Sequence, residues 1–222
     1  MTSSPSPSPK LELADLRENY TQAGLIESDL AADPWRQFTQ WFQEALGANL
    51  IEPNAMTLAT VTPEGKPTAR IVLLKELDDR GFIFFTNYTS RKAQDLASNP
   101  WAALVFLWTA LERQVRIEGQ VEKIADSETD AYFQTRPRGS QLGAWVSPQS
   151  QVISDRQYLE DELDRLTQQY RNQAIPRPPH WGGYRVIPNR IEFWQGRPNR
   201  LHDRLCYQIK AEGGWTVERL AP

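Results

Sequence analysis

The chain has 222 residues, with 25 Lys+Arg against 28 Asp+Glu, 2 His, a single Cys and a net charge of −3. At roughly 100–200 residues per domain this is one large domain or two small ones, long enough to hold a core without disulfides. The longest apolar run, Trp101 to Trp108, is eight residues, far short of the ~20 that cross a bilayer; the negative balance gives no field to steer a nucleic-acid backbone.

In chain order, residues 1–10 (MTSSPSPSPK) lack the apolar core of a secretory signal and are expected to be a disordered tail, because Ser/Pro-rich chain buries too little surface to order. Residues 11–222 are expected to form a single domain. Leu11 to Tyr20 is expected to form a short helix. Asp33 is an N-cap with Pro34 at the first helical position, ahead of Trp35, Phe38, Phe42, Ala45 and Leu46 at helical spacing. After Pro53 the period changes to two. Ala55 to Val61, Thr68 to Leu77 and Gly81 to Asn87 read as strands, a helix runs from Ser90 to before Pro100, and strands follow at Trp101 to Thr109 and Arg113 to Ile124. Ser127 to Thr135 reads as a helix. A second runs from Ser154 to Arg171, opened by a Ser154–Gln157 capping box with Leu159, Leu163, Leu166 and Tyr170 as its stripe. Strands return at Gly183 to Val186, Arg190 to Gln195, Leu201 to Ile209 and Trp215 to Leu220, with Gly213–Gly214 as a turn. Hairpin-linked strands with a few helices imply a mainly β, α+β fold: an antiparallel barrel or sandwich with peripheral helices. The lone Cys206 forms no internal disulfide, as expected of a cytoplasmic protein.

Four segments concentrate chemistry. In Thr86 to Lys92, Ser90 caps a helix and Arg91 and Lys92 occupy its first turn, where cations oppose the macrodipole by ~0.3–1 kcal/mol each. They are either a solvated pair beside Asp95 or, with free N–H groups, an anion site. In Arg70 to Lys75 the two cations lie five apart, on opposite faces of a regular strand. One ligand meets both only along an edge or across a bulge. Tyr132 and Arg136 are i, i+4 with Ser140 in the next turn, a plausible cradle for a phosphate monoester. Arg200, His202 and Arg204 recur at period two and repel one another unless an anion lies over them, and Trp194 offers a flat wall. With His180 and His202 alone there is no metal-ligand spacing, and no GxSxG or GxGxxG is present.

These residues carry a resemblance. ARIVLLK (69–75), FFTNYTSRKA (84–93), ERQVRIEG (112–119), YFQTRPRGSQLGAWVSPQS (132–150), WGGYRV (181–186), IEFWQG (191–196), RLHDR (200–204) and RLAP (219–222) are similar, in order, to the pyridoxamine 5′-phosphate oxidase family. The resemblance implies an FMN-binding split β-barrel, a homodimer with FMN at the subunit interface. It implies flavin contacts from Arg70, Ile71, Val72, Leu73, Leu74, Lys75, Phe85, Thr86, Arg91, Lys92, Gln114, Gln149, Ser150, Trp194 and Arg204, partly across the dimer. Arg17, Tyr20, Lys75, Tyr132, Arg136, Ser140, Arg200, Leu201 and His202 match substrate-binding positions, with Arg200 and His202 over the reacting carbon. Two departures stand out: Glu18 where a basic residue is common, and Phe85 where a Tyr is common.

The expected activity is FMN-dependent oxidation of pyridoxamine 5′-phosphate and pyridoxine 5′-phosphate to pyridoxal 5′-phosphate, with O₂ reduced to H₂O₂. Arg200, permanently protonated, is expected to orient and stabilise charge, and His202 to exchange a proton near neutral pH. Arg204 is expected to favour an anionic reduced flavin. Two rivals are an enzyme of the same fold acting on a phenazine precursor, and a non-catalytic carrier of FMN or pyridoxal 5′-phosphate.

Overall fold

The computed structural model describes residues 20–22 and 24–222. The expected tail over 1–10, the helix expected from Leu11, and Arg17 and Glu18 lie outside the described residues.

Nine strands form one antiparallel sheet: β1 (Ala55–Val61), β2 (Pro67–Leu73), β3 (Glu76–Leu77), β4 (Phe82–Asn87), β5 (Trp101–Trp108), β6 (Arg113–Lys123), β7 (Trp181–Gln195), β8 (Asp203–Ile209) and β9 (Trp215–Arg219). The order is β2-β1-β5-β6-β7-β4-β3, with β8 and β9 added along β7. The expected strands at Gly183 to Val186 and Arg190 to Gln195 are one long strand. Its first half pairs with β4 and its second with β8, while β6 runs along its other edge. The β6–β7 register shifts between Glu118 and Gly119, where a Cβ on residue 119 would stand 2.1 Å from the Ile187 carbonyl oxygen. Only glycine permits that approach, and the bulge bends the long pair so the sheet curls on itself.

The concave side is filled by alternating residues of the strands. Met56 and Leu58 of β1, Leu104 and Phe106 of β5, Val115 and Ile117 of β6, and Ile191 and Phe193 of β7 are all buried. Helix α1 (Pro34–Gly47) closes that core, capped as expected with Asp33 Oδ1 accepting from Arg36 N at 2.9 Å; of the expected stripe Phe38 and Ala45 turn inward and Leu46 stays exposed, while Trp41, outside the stripe, is buried. Phe38 meets the ring edges of Phe82 and Phe106, and Trp41 that of Phe193. Burying these two rings stabilises the cap by roughly 1.5–3 kcal/mol each.

A second core lies under α3 (Asp126–Thr135), α4 (Arg138–Val146) and α5 (Gln157–Gln169), where Phe133, Leu142, Val146, Leu166, Ile175 and Trp181 meet. Helix α4 is absent from the sequence expectations. Its glycines, Gly139 and Gly143, mask a short apolar pair, Leu142 and Val146, that only the neighbouring helices make meaningful. The expected Ser154–Gln157 capping box does not form, because α5 starts at Gln157 and Asp155 Oδ1 accepts from Tyr158 N at 3.0 Å. Of the expected stripe on that helix only Leu166 is buried, and Leu163 stays open to solvent. The strand expected over Thr68 to Leu77 breaks after Leu73, and the one expected from Leu201 begins at Asp203. Among the described residues no helix is long and apolar enough to cross a membrane.

Candidate active site

The break in the second strand answers the puzzle of Arg70 and Lys75. Pairing with β1 ends at Leu73; Leu74 N then donates to Asn54 O, and Lys75 N to Ile83 O, at 2.9 Å each. The chain thus leaves one ladder for the next, and Arg70 and Lys75 line the same cavity of about 680 Å³. Ile71, Val72 and Leu73 line it between them, whereas Leu74 turns away from it into the core.

Arg70 is fixed from behind. Its Nη1 donates to Leu58 O (3.1 Å) and Thr60 Oγ1 (2.7 Å), and its Nη2 to Thr68 Oγ1 (2.6 Å). Buried Asp95 accepts from both threonines and stands 3.7 Å from Nη2. So Asp95 serves Arg70 and is not part of a solvated pair with Arg91 and Lys92. On α2 (Arg91–Ser98), Ser90 occupies the N-cap, but its hydroxyl donates to Asn87 O at 2.7 Å and does not cap the helix. Lys92 leans into the cavity, its Nζ donating to Gln149 Oε1 (2.6 Å), Thr86 Oγ1 (3.1 Å) and Ser90 Oγ (3.3 Å). Among the described residues no carboxylate lies within ion-pair reach of it. Burial, and then the neighbouring Arg70 charge, pull its pKa down to about 8. Arg91 stays exposed outside the cavity, as does Ser150.

The opposite wall comes from the helices. Tyr132, Thr135, Arg136 and Pro137 at the end of α3, and Ser140, Gly143 and Ala144 of α4, line it together with Trp181. Tyr132 stacks on Phe85 at 3.8 Å, and Phe85 on Trp181 at 5.3 Å. The Arg136 guanidinium lies 4.5 Å over the Trp181 ring, a cation–π seat. Its Nη1 is buried with no hydrogen-bond partner, and burial lowers its pKa. An orphaned guanidinium N–H is costly in isolation, and an anion in the cavity would satisfy it.

The remaining candidates assemble elsewhere on the chain. Gln114, Trp194 and Tyr20 line a second cavity of about 560 Å³ with Leu107, Thr109, Ala110 and Glu112. Tyr20 meets Trp194 at 5.7 Å and His202 at 5.5 Å, and His202 meets Trp194 at 4.6 Å. Arg200, His202 and Arg204 do not share a strand face. Arg200 sits in a 3-10 turn at φ 63°, after Asn199 at φ 57°, and only Arg204 belongs to β8. Two consecutive left-handed non-glycine residues cost on the order of 1 kcal/mol each and push Arg200, with Leu201, out into solvent. The expected repulsion among the three is relieved by a residue the sequence reading missed, Glu192. It is 2 % exposed and takes Arg204 at 2.8 and 3.0 Å in a two-pronged pair. Glu192 also stands 3.6 Å from Arg116 and 4.0 Å from Arg190, so its one charge is shared among three arginines. His202 is held below its usual pKa by burial and then by Arg200. Its Nδ1 accepts from Arg197 N at 3.1 Å, which assigns the ring proton to Nε2 and makes that atom a donor.

The curled antiparallel sheet, with Arg70, Lys75, Lys92 and Arg136 lining one cavity beside it, has the architecture of a split β-barrel protein. A family model described as "Pyridoxamine 5′-phosphate oxidase" matches residues 42–170, and one described as "Pyridoxine 5′-phosphate oxidase C-terminal dimerisation region" matches residues 181–222. The chain belongs to the pyridoxamine 5′-phosphate oxidase family, a family of oxidoreductases. Proteins named pyridoxine/pyridoxamine 5′-phosphate oxidase from Synechocystis sp. and Gloeothece citriformis are 65 % and 62 % identical to it; they cover 96 % and 95 % of this chain, which spans 99 % and 98 % of theirs. Among solved structures, PhzG from Burkholderia lata in complex with tetrahydrophenazine-1-carboxylic acid aligns at TM-score 0.84 with 33 % identity, over 89 % of this chain and 98 % of that one. A pyridoxamine 5′-phosphate oxidase-related, FMN-binding protein from Nostoc punctiforme shares the fold at TM-score 0.69 and 20 % identity, over 87 % and 99 %.

Proposed function

We propose that the protein is an FMN-dependent oxidase that converts pyridoxamine 5′-phosphate and pyridoxine 5′-phosphate to pyridoxal 5′-phosphate, with O₂ reduced to H₂O₂. The observation that carries this reading is the pair of cationic grips in one cavity: Lys92, with no carboxylate among the described residues within ion-pair reach, and Arg136 with a buried orphan N–H. Two phosphates fit two grips. Arg70 and Lys92 would hold the FMN phosphate, with Thr86 and Gln149 beside it and the Ile71–Leu73 main chain along the ring system. Lys75, Tyr132, Arg136 and Ser140 would hold the substrate phosphate. FMN, when bound, supplies the hydride acceptor and the route for electrons to O₂.

The chain's own residues bind and orient. Arg136 brings a desolvated guanidinium to the substrate phosphate, a contact stronger than its solvated equivalent. Arg200 serves as a fixed positive contact, while His202, its Nδ1 taken by Arg197 N, donates from Nε2.

The second cluster belongs to the same site through a dimer. Tyr20, Gln114, Trp194, Arg200 and His202 lie away from the first cavity of their own chain, on or beside the segment matched by the dimerisation model. Both cavity rims carry large apolar side chains open to solvent, Ile71 at 65 % and Leu107 at 63 % exposure, as do faces that meet a partner. A homodimer related by a two-fold axis would bring each second cluster over its partner's first cavity.

The likeness to PhzG favours a second reading, oxidation of a phenazine precursor. Lys75, Arg136 and Ser140 around one cavity favour a phosphate monoester instead. The test is peroxide release in air by FMN-loaded protein given pyridoxamine 5′-phosphate, and separately a dihydrophenazine carboxylic acid. Peroxide with the phosphate ester alone is expected. Turnover of the phenazine alone would establish the second reading, and no turnover of either by fully loaded protein would leave a carrier.

A further inference from the structure

The helix that delivers Tyr132 and Arg136 has an acidic opposite end: Asp126, Glu128 and Asp130. Arg177 lies in the Pro-rich loop between α5 and β7. It donates from Nε to Asp130 Oδ1, from Nη2 to Asp126 Oδ1 at 2.8 Å, and from Nη1 to the Trp181 carbonyl at 2.9 Å. Its side chain is only 13 % exposed, although the two carboxylates stand largely in solvent at 85 % and 56 %. One guanidinium therefore ties the body of α3 to the first residue of β7.

Those two elements meet again at the cavity. Trp181 carries the Arg136 guanidinium on its ring face, and it closes the stack Tyr132–Phe85–Trp181. The Arg136 side chain makes no hydrogen bond and no ion pair among the described residues. Its guanidinium rests at 4.5 Å on Trp181, with the Phe133 ring of α3 at 5.6 Å, so its direction follows where Trp181 stands relative to the end of α3. Arg177 ties those two elements at the start of β7, alongside the Arg185–Glu128 pair at 3.4 Å and the Phe133–Trp181 ring contact at 5.2 Å.

We propose that Arg177 is a positioning residue for the substrate-phosphate grip, acting through Trp181 and α3 without touching the ligand. This rests on the reading that Arg136 holds the substrate phosphate. Lysine cannot replace it, since a single ammonium cannot reach three acceptors spread over a helix and a strand. Arg70 and Lys92 lie on other elements, so the FMN grip does not depend on it.

The test compares FMN-loaded wild type with Arg177→Met and, as a milder change, Asp130→Asn. For Arg177→Met the KM for pyridoxamine 5′-phosphate is expected to rise about tenfold, with kcat within about twofold and the FMN dissociation constant unchanged. Asp130→Asn should move KM the same way by a smaller factor, and it carries the test if Arg177→Met does not fold. Equilibrium dialysis of pyridoxal 5′-phosphate against each holoenzyme should show the same weakening. An unchanged KM and dialysis constant in folded, loaded variants would overturn the proposal. So would a joint loss of KM, kcat and FMN affinity that tracks the melting temperature, since that is a general structural role. A wild type that fails to oxidise pyridoxamine 5′-phosphate would instead remove the functional reading, and dialysis would still decide the role of Arg177.

Discussion

Replacing Arg136 with alanine is expected to raise the KM for pyridoxamine 5′-phosphate by about ten- to a hundredfold, the loss of one charge-assisted contact worth roughly 1.5–3 kcal/mol. The guanidinium is poorly solvated and its Nη1 has no partner, so an arriving phosphate gives up less to water here than at an exposed arginine. Tyr132 and Ser140 remain, and they keep binding from vanishing. FMN affinity should hold, because Arg70 and Lys92 stand on β2 and α2 while Arg136 caps α3. Steady-state kinetics and FMN titration on the same variant check both halves. Weakened FMN with an unchanged KM would mean that the two phosphate roles are exchanged.

Lys92→Ala is expected to do the reverse, weakening FMN about ten- to a hundredfold by the same reckoning while KM in FMN-saturated enzyme stays put. A pH signature accompanies it. Without FMN, Lys92 titrates at about 8, below its ordinary value, because burial and Arg70 disfavour its charge. A phosphate dianion favours that charge, so binding draws a proton onto Lys92 whenever the free protein lacks one. FMN affinity should therefore be full below pH 8 and fall by up to about tenfold per pH unit above it, until the pKa of the complex is reached. At the acid end the limit is the phosphate itself, whose second ionisation lies near about 6. In Lys92→Ala the decline above pH 8 should disappear. Fluorescence titration of FMN from pH 6 to pH 10 on both proteins measures it, and an identical alkaline slope in the two would assign the effect to another group.

Local chemistry made much of this legible in the sequence. The Asp33–Pro34 cap, the alternating strands β1 and β6 and the Gly213–Gly214 turn are each decided by a few neighbouring residues, and they stand as expected. Helix α4 was hidden because its two buried side chains acquire a purpose only from α3 and α5. The break after Leu73 was hidden because it depends on Asn54 and Ile83, distant in sequence. In the site, Lys92 and Arg136 were visible as cations in suggestive company. Their partners were not: nothing near Arg204 in sequence points to Glu192, twelve residues away and paired only through the β7–β8 ladder. Trp181 is likewise visible in its motif, but its place under Arg136 is not. Its signal was a lone tryptophan opening a strand after a Pro-rich loop.

The sorting of one chain's candidate residues into two separate clusters makes the shared site the central claim, and subunit mixing tests it most directly. Arg136→Ala removes a residue of the first cluster, and Arg200→Ala one of the second. Each variant alone should be nearly silent at substrate concentrations well below the wild-type KM. Co-refolded in equal amounts, about half the dimers pair one subunit of each kind. By two-fold symmetry every such dimer holds one site with both defects and one with neither. Activity should then recover to about a quarter of wild type. Activity no greater than the average of the two parents, with mixed dimers shown to be present, would place both clusters in one subunit's site and contradict the account.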